Sequence, residues 1–331
     1  MKKLRAAAAL LLVPLFLLGG CKAEKGPDVS TDETTSEITT TEPQPKYTEE
    51  QLNKMIAFTF DDGPAKESTT KILDVLEKYN FTATFFVIGE NCVDSRQEQL
   101  KRAITLGCEI GNHTWDHRTN LGNYSAEKID SELEKTSDAV EEATGLRPKL
   151  MRPPGGSWKG LENIAYPIIY WSVDTNDWRK KSNAGNYEAA ENLAEYIINQ
   201  VDGNPGSIVL MHDIYNFTAE TVEIVVPRLA EMGYTICSVS ELAEAYGVEL
   251  KNGEVYFSIE RDIKIEPGRY VVATKETPLT LREGPGSEKP VLERIPKGTI
   301  VTVEDCENGY AKITYNGVTG WSSIKYLEKA E

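Results

Sequence analysis

The sequence predicts an α/β protein, a (β/α) barrel of about seven parallel strands, followed by a small all-β barrel. Three observations carry this expectation. Short apolar, β-branched runs recur at 55–60, 82–88, 108–111, 149–152, 167–173, 207–211 and 234–237. Stretches with helical spacing separate most of them, as in Ser68 to Tyr79, where Ile72, Leu73, Val75, Leu76 and Tyr79 repeat along one face. After Gly247 the texture changes to short strands with tight turns at Gly284-Pro285-Gly286, Asn308-Gly309 and Asn316-Gly317. Alternating strands and helices imply a parallel sheet, and seven or eight such units favour closure into a barrel.

Taken in order, residues 1–20 read as an export signal. Lys2, Lys3 and Arg5 form a basic start, and Ala6 to Leu18 an apolar stretch too short for a stable membrane span. The ending Leu18-Gly19-Gly20-Cys21 is similar to a bacterial lipobox, so Cys21 is the expected lipidation site. Two acyl chains on one residue meet the two-signal requirement for anchoring, and place the protein on the extracellular face of the cell membrane. Residues 21–51 are expected to be a disordered tether. Between Asp28 and Glu42, eight of fifteen residues are Ser or Thr and five are acidic, too little apolar surface to offset ordering entropy. As a coil, the whole tether of roughly 30 residues has an end-to-end distance of about 30 Å.

The barrel is assigned to residues 52–247. Between Ser157 and Tyr166 there is room for little more than one helical turn, so irregularity is expected there. Residues 248–269 are a connector of no assigned structure, and 270–328 form the all-β unit. Cys92 and Cys108 flank an expected helix from Asp94 to Leu106, whose length holds them about 20 Å apart, beyond disulfide reach. Cys92, Cys108, Cys237 and Cys306 therefore read as free or buried thiols. The net charge is −16, and −19 without Lys2, Lys3 and Arg5, which disfavours nucleic acid and polyanionic substrates. A neutral polysaccharide fits that charge better.

The chain holds three histidines, and all sit beside strand ends. His113 and His117 lie four apart, His212 closes the run Ser207 to Met211, and Asp61-Asp62 close another run. Two histidines and a carboxylate make a three-ligand metal site with a position left for water, as in catalytic zinc sites. A second carboxylate and a third histidine remain as candidate base and acid. Arg152 and Asp177 also fall just past strand ends, and in a parallel α/β barrel those ends share the face that carries chemistry.

Taken together, Thr59-Phe60-Asp61-Asp62-Gly63, His113-Thr114-Trp115-Asp116-His117, Arg152-Pro153-Pro154-Gly155-Gly156, Asp174-Thr175-Asn176-Asp177-Trp178 and Leu210-Met211-His212 resemble the five ordered motifs of the polysaccharide deacetylases, the NodB-homology enzymes of carbohydrate esterase family 4. The resemblance spans roughly residues 52 to 247. It implies a distorted (β/α) barrel and metal-dependent removal of acetyl groups from sugars. It further implies that Asp62, His113 and His117 hold one divalent metal, zinc first, with cobalt or manganese as alternatives. On the same resemblance Asp61 is the base, Arg152 positions it through a bidentate pair, His212 is the acid and Asp177 orients His212. Leu210 and Trp178 would shape the acetyl pocket, or simply pack the core. The third motif departs from the usual pattern, with Gly155 where many members carry an aromatic residue. Glycine keeps the backbone N–H that would stabilise an oxyanion but removes a side-chain wall of the sugar groove.

Leu279 to Pro285, Tyr315-Asn316-Gly317, Gly320-Trp321 and Tyr326-Leu327 resemble a bacterial SH3-type domain, which implies binding of cell-wall peptide or glycan. The expectation is a monomeric, lipid-anchored N-deacetylase of cell-wall glycan, foremost peptidoglycan N-acetylglucosamine. An O-acetyl esterase of the xylan type and a catalytically idle glycan-binding lipoprotein are the alternatives.

Overall fold

The computed structural model describes residues 46–330 apart from 262, 275, 276, 287, 288 and 308. The expected signal, Cys21 and residues 22–45 of the expected tether lie outside the described residues, as does Asn308. Among the described residues no helix is long and apolar enough to cross a membrane.

Packing begins earlier than the sequence suggested. Thr48 caps the short helix α1 (Glu49–Leu52) in a reciprocal capping box with Gln51, and Tyr47 Oη donates to Glu241 at 2.6 Å. The segment 46–51, expected to belong to the tether, is thus held by a local cap and a tertiary hydrogen bond that composition does not reveal.

The first domain follows the expected alternation: β1 (Met55–Asp61), α2 (Ser68–Tyr79), β2 (Thr84–Val87), α3 (Gln97–Thr105), β3 (Glu109–Asn112), α4 (Ala126–Thr144), β4 (Ile168–Ile169), β5 (Val173–Asp174), α5 (Tyr187–Val201), β6 (Ile208–His212), α6 (Asn216–Glu231), β7 (Thr235–Cys237) and α7 (Val239–Tyr246). Helix ends obey their local chemistry. Ser125, Asn186 and Ser238 cap α4, α5 and α7 through their side chains, and α4 and α7 stop at left-handed Gly145 and Gly247.

The parallel sheet runs β3-β2-β1-β6-β5, with β7 paired to the first half of β1. Two expected strands are reduced. The run 149–152 survives as single bridges from Met151 to Asn112 and to Ile168, because Pro153 and Pro154 have no N–H to extend the ladder. The run 167–173 breaks into β4 and β5, since Tyr170 N–H bonds Tyr256 while Ser172 N–H bonds Ile208. The stretch after Ser157 forms turns rather than a helix, with Leu161 fully buried against Leu121 and Ile129.

The connector is also structural. Residues of β8 (Val255–Tyr256) pair in parallel with β4, and Ile259 is fully buried. A two-residue strand lies below what periodicity can detect.

Strand alternation decides what reaches the site. In β1, Ile56, Phe58 and Phe60 join the cluster under α2, α5 and α6, whereas Met55 and Ala57 join the opposite cluster with Phe86, Ile169 and Ile208. Each fully buried apolar side chain of this size contributes about 1.5–3 kcal/mol. Thr59 and Asp61 continue the inner row, as Leu210 and His212 do on β6. The register Thr59↔Leu210 and Asp61↔His212 sets both rows at one height.

The second unit has its own core, including Tyr270, Leu281, Ile295, Val303 and Ile313. Its strands β9 (Gly268–Val272), β10 (Leu279–Arg282), β11 (Val291–Ile295), β12 (Ile300–Glu307), β13 (Tyr310–Tyr315), β14 (Val318–Ser323) and β15 (Leu327–Lys329) form an antiparallel sheet. Their order is β11-β10-β14-β13-β12-β9-β15. Asn316 and Gly317, with φ of 50° and 79°, make the expected two-residue hairpin turn between β13 and β14.

Candidate active site

The five residue groups read from the sequence converge at the C-terminal ends of the parallel strands. Asp61 and His212 are the last residues of β1 and β6, and His113 and Arg152 follow the Asn112↔Met151 bridge. Asp177 lies three residues beyond β5.

Asp62, His113 and His117 present ligand atoms within 4.8 Å of one another. Asp62 Oδ1 lies 3.4 Å from His113 Nε2 and 3.2 Å from His117 Nε2. That oxygen is buried and has no hydrogen-bond partner among the described residues. Burial alone would push the Asp62 carboxyl up, but the two imidazoles outweigh it and hold the group well below the usual carboxylate range. His113 Nδ1 lies 2.7 Å from the Arg152 carbonyl, which can only accept. Nδ1 therefore donates to that carbonyl and Nε2 faces Asp62, the outer-partner arrangement of metal-binding histidines. An orphaned carboxylate oxygen facing two imidazole nitrogens fits a divalent cation. The His113–His117 pair does not straddle a strand-to-helix turn. Thr114 and His117 are left-handed, with φ of 66° and 58°, and the next helix starts only at Ala126. Asp62 is left-handed as well, with φ of 75°. Such strain in non-glycine residues concentrates at functional sites.

Arg152 is fully buried and donates from Nη1 to Asp61 Oδ1 at 2.8 Å. The contact is not the expected bidentate fork. Nη1 also reaches Thr59 Oγ1 at 2.8 Å, Nε bonds the Ile169 carbonyl at 3.0 Å and Nη2 the Tyr170 carbonyl at 2.8 Å. The remaining donors are committed to the Ile169 and Tyr170 carbonyls, so Asp61 Oδ2 stays clear of the guanidinium and points toward His113 Nε2 at 3.8 Å. The guanidinium also lies 4.3 Å from the Phe86 ring centroid.

Asp177 is fully buried and saturated. Oδ1 accepts from His212 Nδ1 at 2.8 Å and Trp178 N–H at 2.9 Å, and Oδ2 from His212 N–H at 2.7 Å and Thr218 Oγ1 at 2.6 Å. Burial would depress the His212 imidazole, but Asp177 raises it to about 9. With Nδ1 committed, Nε2 is the nitrogen available to a substrate.

Gly155 is exposed and left-handed, Trp178 is 43% exposed with Arg179 stacked over its ring, and Leu210 is 4% exposed on β6. Trp178 can therefore touch a ligand from solvent, whereas Leu210 forms floor rather than rim. Cys92, Cys108 and Cys237 are free and buried, and burial pushes the Cys92 thiol up to about 12 and Cys108 up to about 11.

Three supporting residues were not found by sequence reasoning. Thr59 splits Arg152 between itself and Asp61, and Thr218 reaches Asp177 from α6. Asp213, beside His212, is fully buried, accepts from Thr69 Oγ1, and its carbonyl accepts from Ser68 Oγ. Burial pushes its carboxyl up to about 7. It packs against Gly63 where any Cβ would fall 2.3 Å from its oxygens, so it braces the loop that carries Asp62. Thr59 lay inside a quoted motif; Thr218 carries no local signal.

Comparison with known proteins adds an independent line. The family profile described as polysaccharide deacetylase matches residues 48–163, and that of the bacterial SH3 domain matches 277–328. Peptidoglycan-N-acetylglucosamine deacetylase PgdA of Listeria monocytogenes is 37% identical over 215 residues, covering 64% of this chain and 43% of that protein. The chain thus spans under half the length of that relative. The structure of peptidoglycan deacetylase PdaC from Bacillus subtilis is 35% identical with a TM-score of 0.52, covering 58% of this chain and 91% of that one. A family 4 acetyl xylan esterase from Clostridium thermocellum, solved in complex with a cobalt ion, is 31% identical with a TM-score of 0.55, covering 62% of this chain and 99% of that one.

Proposed function

The chain belongs to the polysaccharide deacetylase family, and from that premise we propose that it hydrolyses N-acetyl groups of a cell-wall glycan in a metal-dependent reaction. The observation that carries the reading is one face on which a candidate three-ligand cluster stands beside two separately partnered groups. Asp61 is an acceptor pinned by Arg152, and His212 is a donor held protonated by Asp177. A fixed carboxylate acceptor and a protonated imidazole donor on one face are what base-then-acid chemistry requires.

Asp62, His113 and His117 would hold the divalent ion, zinc before cobalt or manganese, which would polarise the acetyl carbonyl and acidify water. Asp61 takes the proton of the attacking water on Oδ2, the oxygen that Arg152 leaves clear. The Gly155 N–H would stabilise the developing oxyanion. His212 then delivers the Nε2 proton to the departing sugar nitrogen, and Asp177 stabilises the imidazolium until that moment. Peptidoglycan N-acetylglucosamine is the leading substrate, supported by the name of the Listeria relative and by the match to the bacterial SH3 domain. The xylan-esterase likeness favours a second reading, O-acetyl hydrolysis. Incubating the zinc-loaded protein with peptidoglycan, a β-1,4 N-acetylglucosamine oligomer and acetylated xylan, and weighing the products, separates the two. Acetate from the first two substrates is expected, and acetate from xylan alone would reject N-deacetylation.

Lipid anchoring at Cys21 on the outer membrane face rests on the basic start, the short apolar run and the lipobox-like ending. Cys21→Ser is expected to move the protein from the membrane fraction to the medium or to stall its processing. An unchanged membrane yield would remove the anchor from the proposal.

A further inference from the structure

Two neighbouring glycines of the third motif face opposite surroundings. Gly155 is exposed, and a Cβ built on it would meet nothing nearer than Thr119 Cγ2 at 3.7 Å. A Cβ on Gly156 would lie 2.7 Å from Tyr170 Cε2 and 2.8 Å from Trp171 Cη2. Two aromatic rings therefore press onto bare backbone beside the place where a side-chain wall is missing. Those rings stack face to face, with centroids 3.9 Å apart and planes 6° from parallel. Phe257 tilts against Tyr170 at 4.6 Å and is itself 46% exposed.

Topology brings this third ring to the chemistry. Because β8 runs parallel to β4 in the register Ile168↔Val255 and Ile169↔Tyr256, Tyr170 and Phe257 both leave their strands on the face that carries Asp61 and His212. The stack is joined directly to the base-positioning arginine. Tyr170 donates its N–H to Tyr256 at 2.8 Å, its carbonyl accepts from Arg152 Nη2 at 2.8 Å, and the guanidinium lies 5.6 Å from the Trp171 ring.

From this geometry we infer that Tyr170, Trp171 and Phe257 form a sugar-stacking subsite beside the reacting centre, replacing from the connector the wall that Gly155 lacks. An N-acetylated pyranose presents an apolar C–H face about the size of an aromatic ring, edged by hydroxyls that stay in water. An exposed Phe257 ring braced by the partly buried Tyr170–Trp171 stack matches that apolar face at low entropic cost. The strongly negative chain argues against nucleic-acid bases as the stacked group. The inference rests on the proposed glycan chemistry and deepens it: the sugar adjoining the acetylated one is selected by a residue outside both matched family regions.

The test uses the zinc-loaded protein and a β-1,4 N-acetylglucosamine tetramer, measuring acetate release and, by calorimetry, binding that needs no turnover. Phe257→Ala is expected to raise KM and Kd together by roughly 3- to 10-fold, the size of one aromatic contact, while Phe257→Tyr restores both. Tyr170→Ala should follow Phe257→Ala; if its packing on Gly156 prevents folding, the exposed Phe257 decides alone. Tetramer Kd unchanged in Phe257→Ala would overturn the subsite. Wild-type turnover with Phe257→Ala unaltered in KM and Kd would sink the subsite and leave the deacetylase reading standing. Wild-type binding without acetate release, weakened in Phe257→Ala, would sink that reading and leave the subsite standing.

Discussion

His212→Ala lowers hydrolysis of an N-acetyl amide by about 10²–10⁴-fold, the usual contribution of general acid–base catalysis, while hydrolysis of an activated aryl acetate falls much less. An amine leaves only if protonated as the tetrahedral adduct collapses, and His212 Nε2 is the donor poised for that step. An aryl ester expels a stable anion and needs little help. Asp61→Ala depresses both reactions severely, because activating the attacking water is common to them. Equal loss of amide and ester activity in His212→Ala would remove His212 from the acid role. The Asp177 partnership sets the pH behaviour. The folded-state imidazole, near 9, stands above its ordinary 6.5. Its contribution to stability is therefore complete below pH 6.5 and is lost as pH rises through about 9. Asp177→Asn should bring the His212 midpoint down, read by NMR titration of the metal-free protein. A midpoint that does not move would mean that the Asp177 contact is not what charges the ring.

Replacing Asp62 or His113 by Ala lowers bound metal and activity in parallel. Loss of an outer partner of a metal ligand already costs about 10–100-fold in affinity or activity, and loss of a ligand itself is expected to cost more. Asp62 Oδ1 is a buried oxygen without a hydrogen-bond partner among the described residues, and His113 Nε2 is turned toward it by the Arg152 carbonyl. His117, with its side chain 40% exposed, should be the most forgiving of the three. Elemental analysis of the purified variants beside their acetate release checks this. An inactive His113→Ala protein retaining one metal per chain at wild-type affinity would refute the ligand set.

Much of the framework was legible because its signals are local. The helix Ser68–Tyr79 follows from apolar spacing, the Asn316-Gly317 hairpin from two residues that tolerate positive φ, and β1, β6 and β7 from apolar runs of strand length. Polar residues that end such runs share one face once the strands are parallel, so Asp61, His113, Arg152 and His212 were legible as neighbours separated by as many as 151 positions. The reduction of 149–152 to isolated bridges at Met151 was less visible, although Pro153 and Pro154 carry the reason.

By itself, the sequence determined which residues could do acid, base and ligand chemistry and which strand ends would deliver them, since residue type and hydrophobic period are properties of short windows. Only the tertiary structure decided how those groups are partnered. Thr59 and the Ile169 and Tyr170 carbonyls turn Arg152 from a fork into a single contact on Asp61. Left-handed Asp62, Thr114 and His117 aim a candidate ligand set that no helix aligns. The two-residue strand Val255–Tyr256 brings Phe257 against Tyr170 from a segment that read as a linker. Each of these depends on pairing or packing between residues far apart in the chain, where the deciding free energy lies in a neighbour that periodicity does not contain.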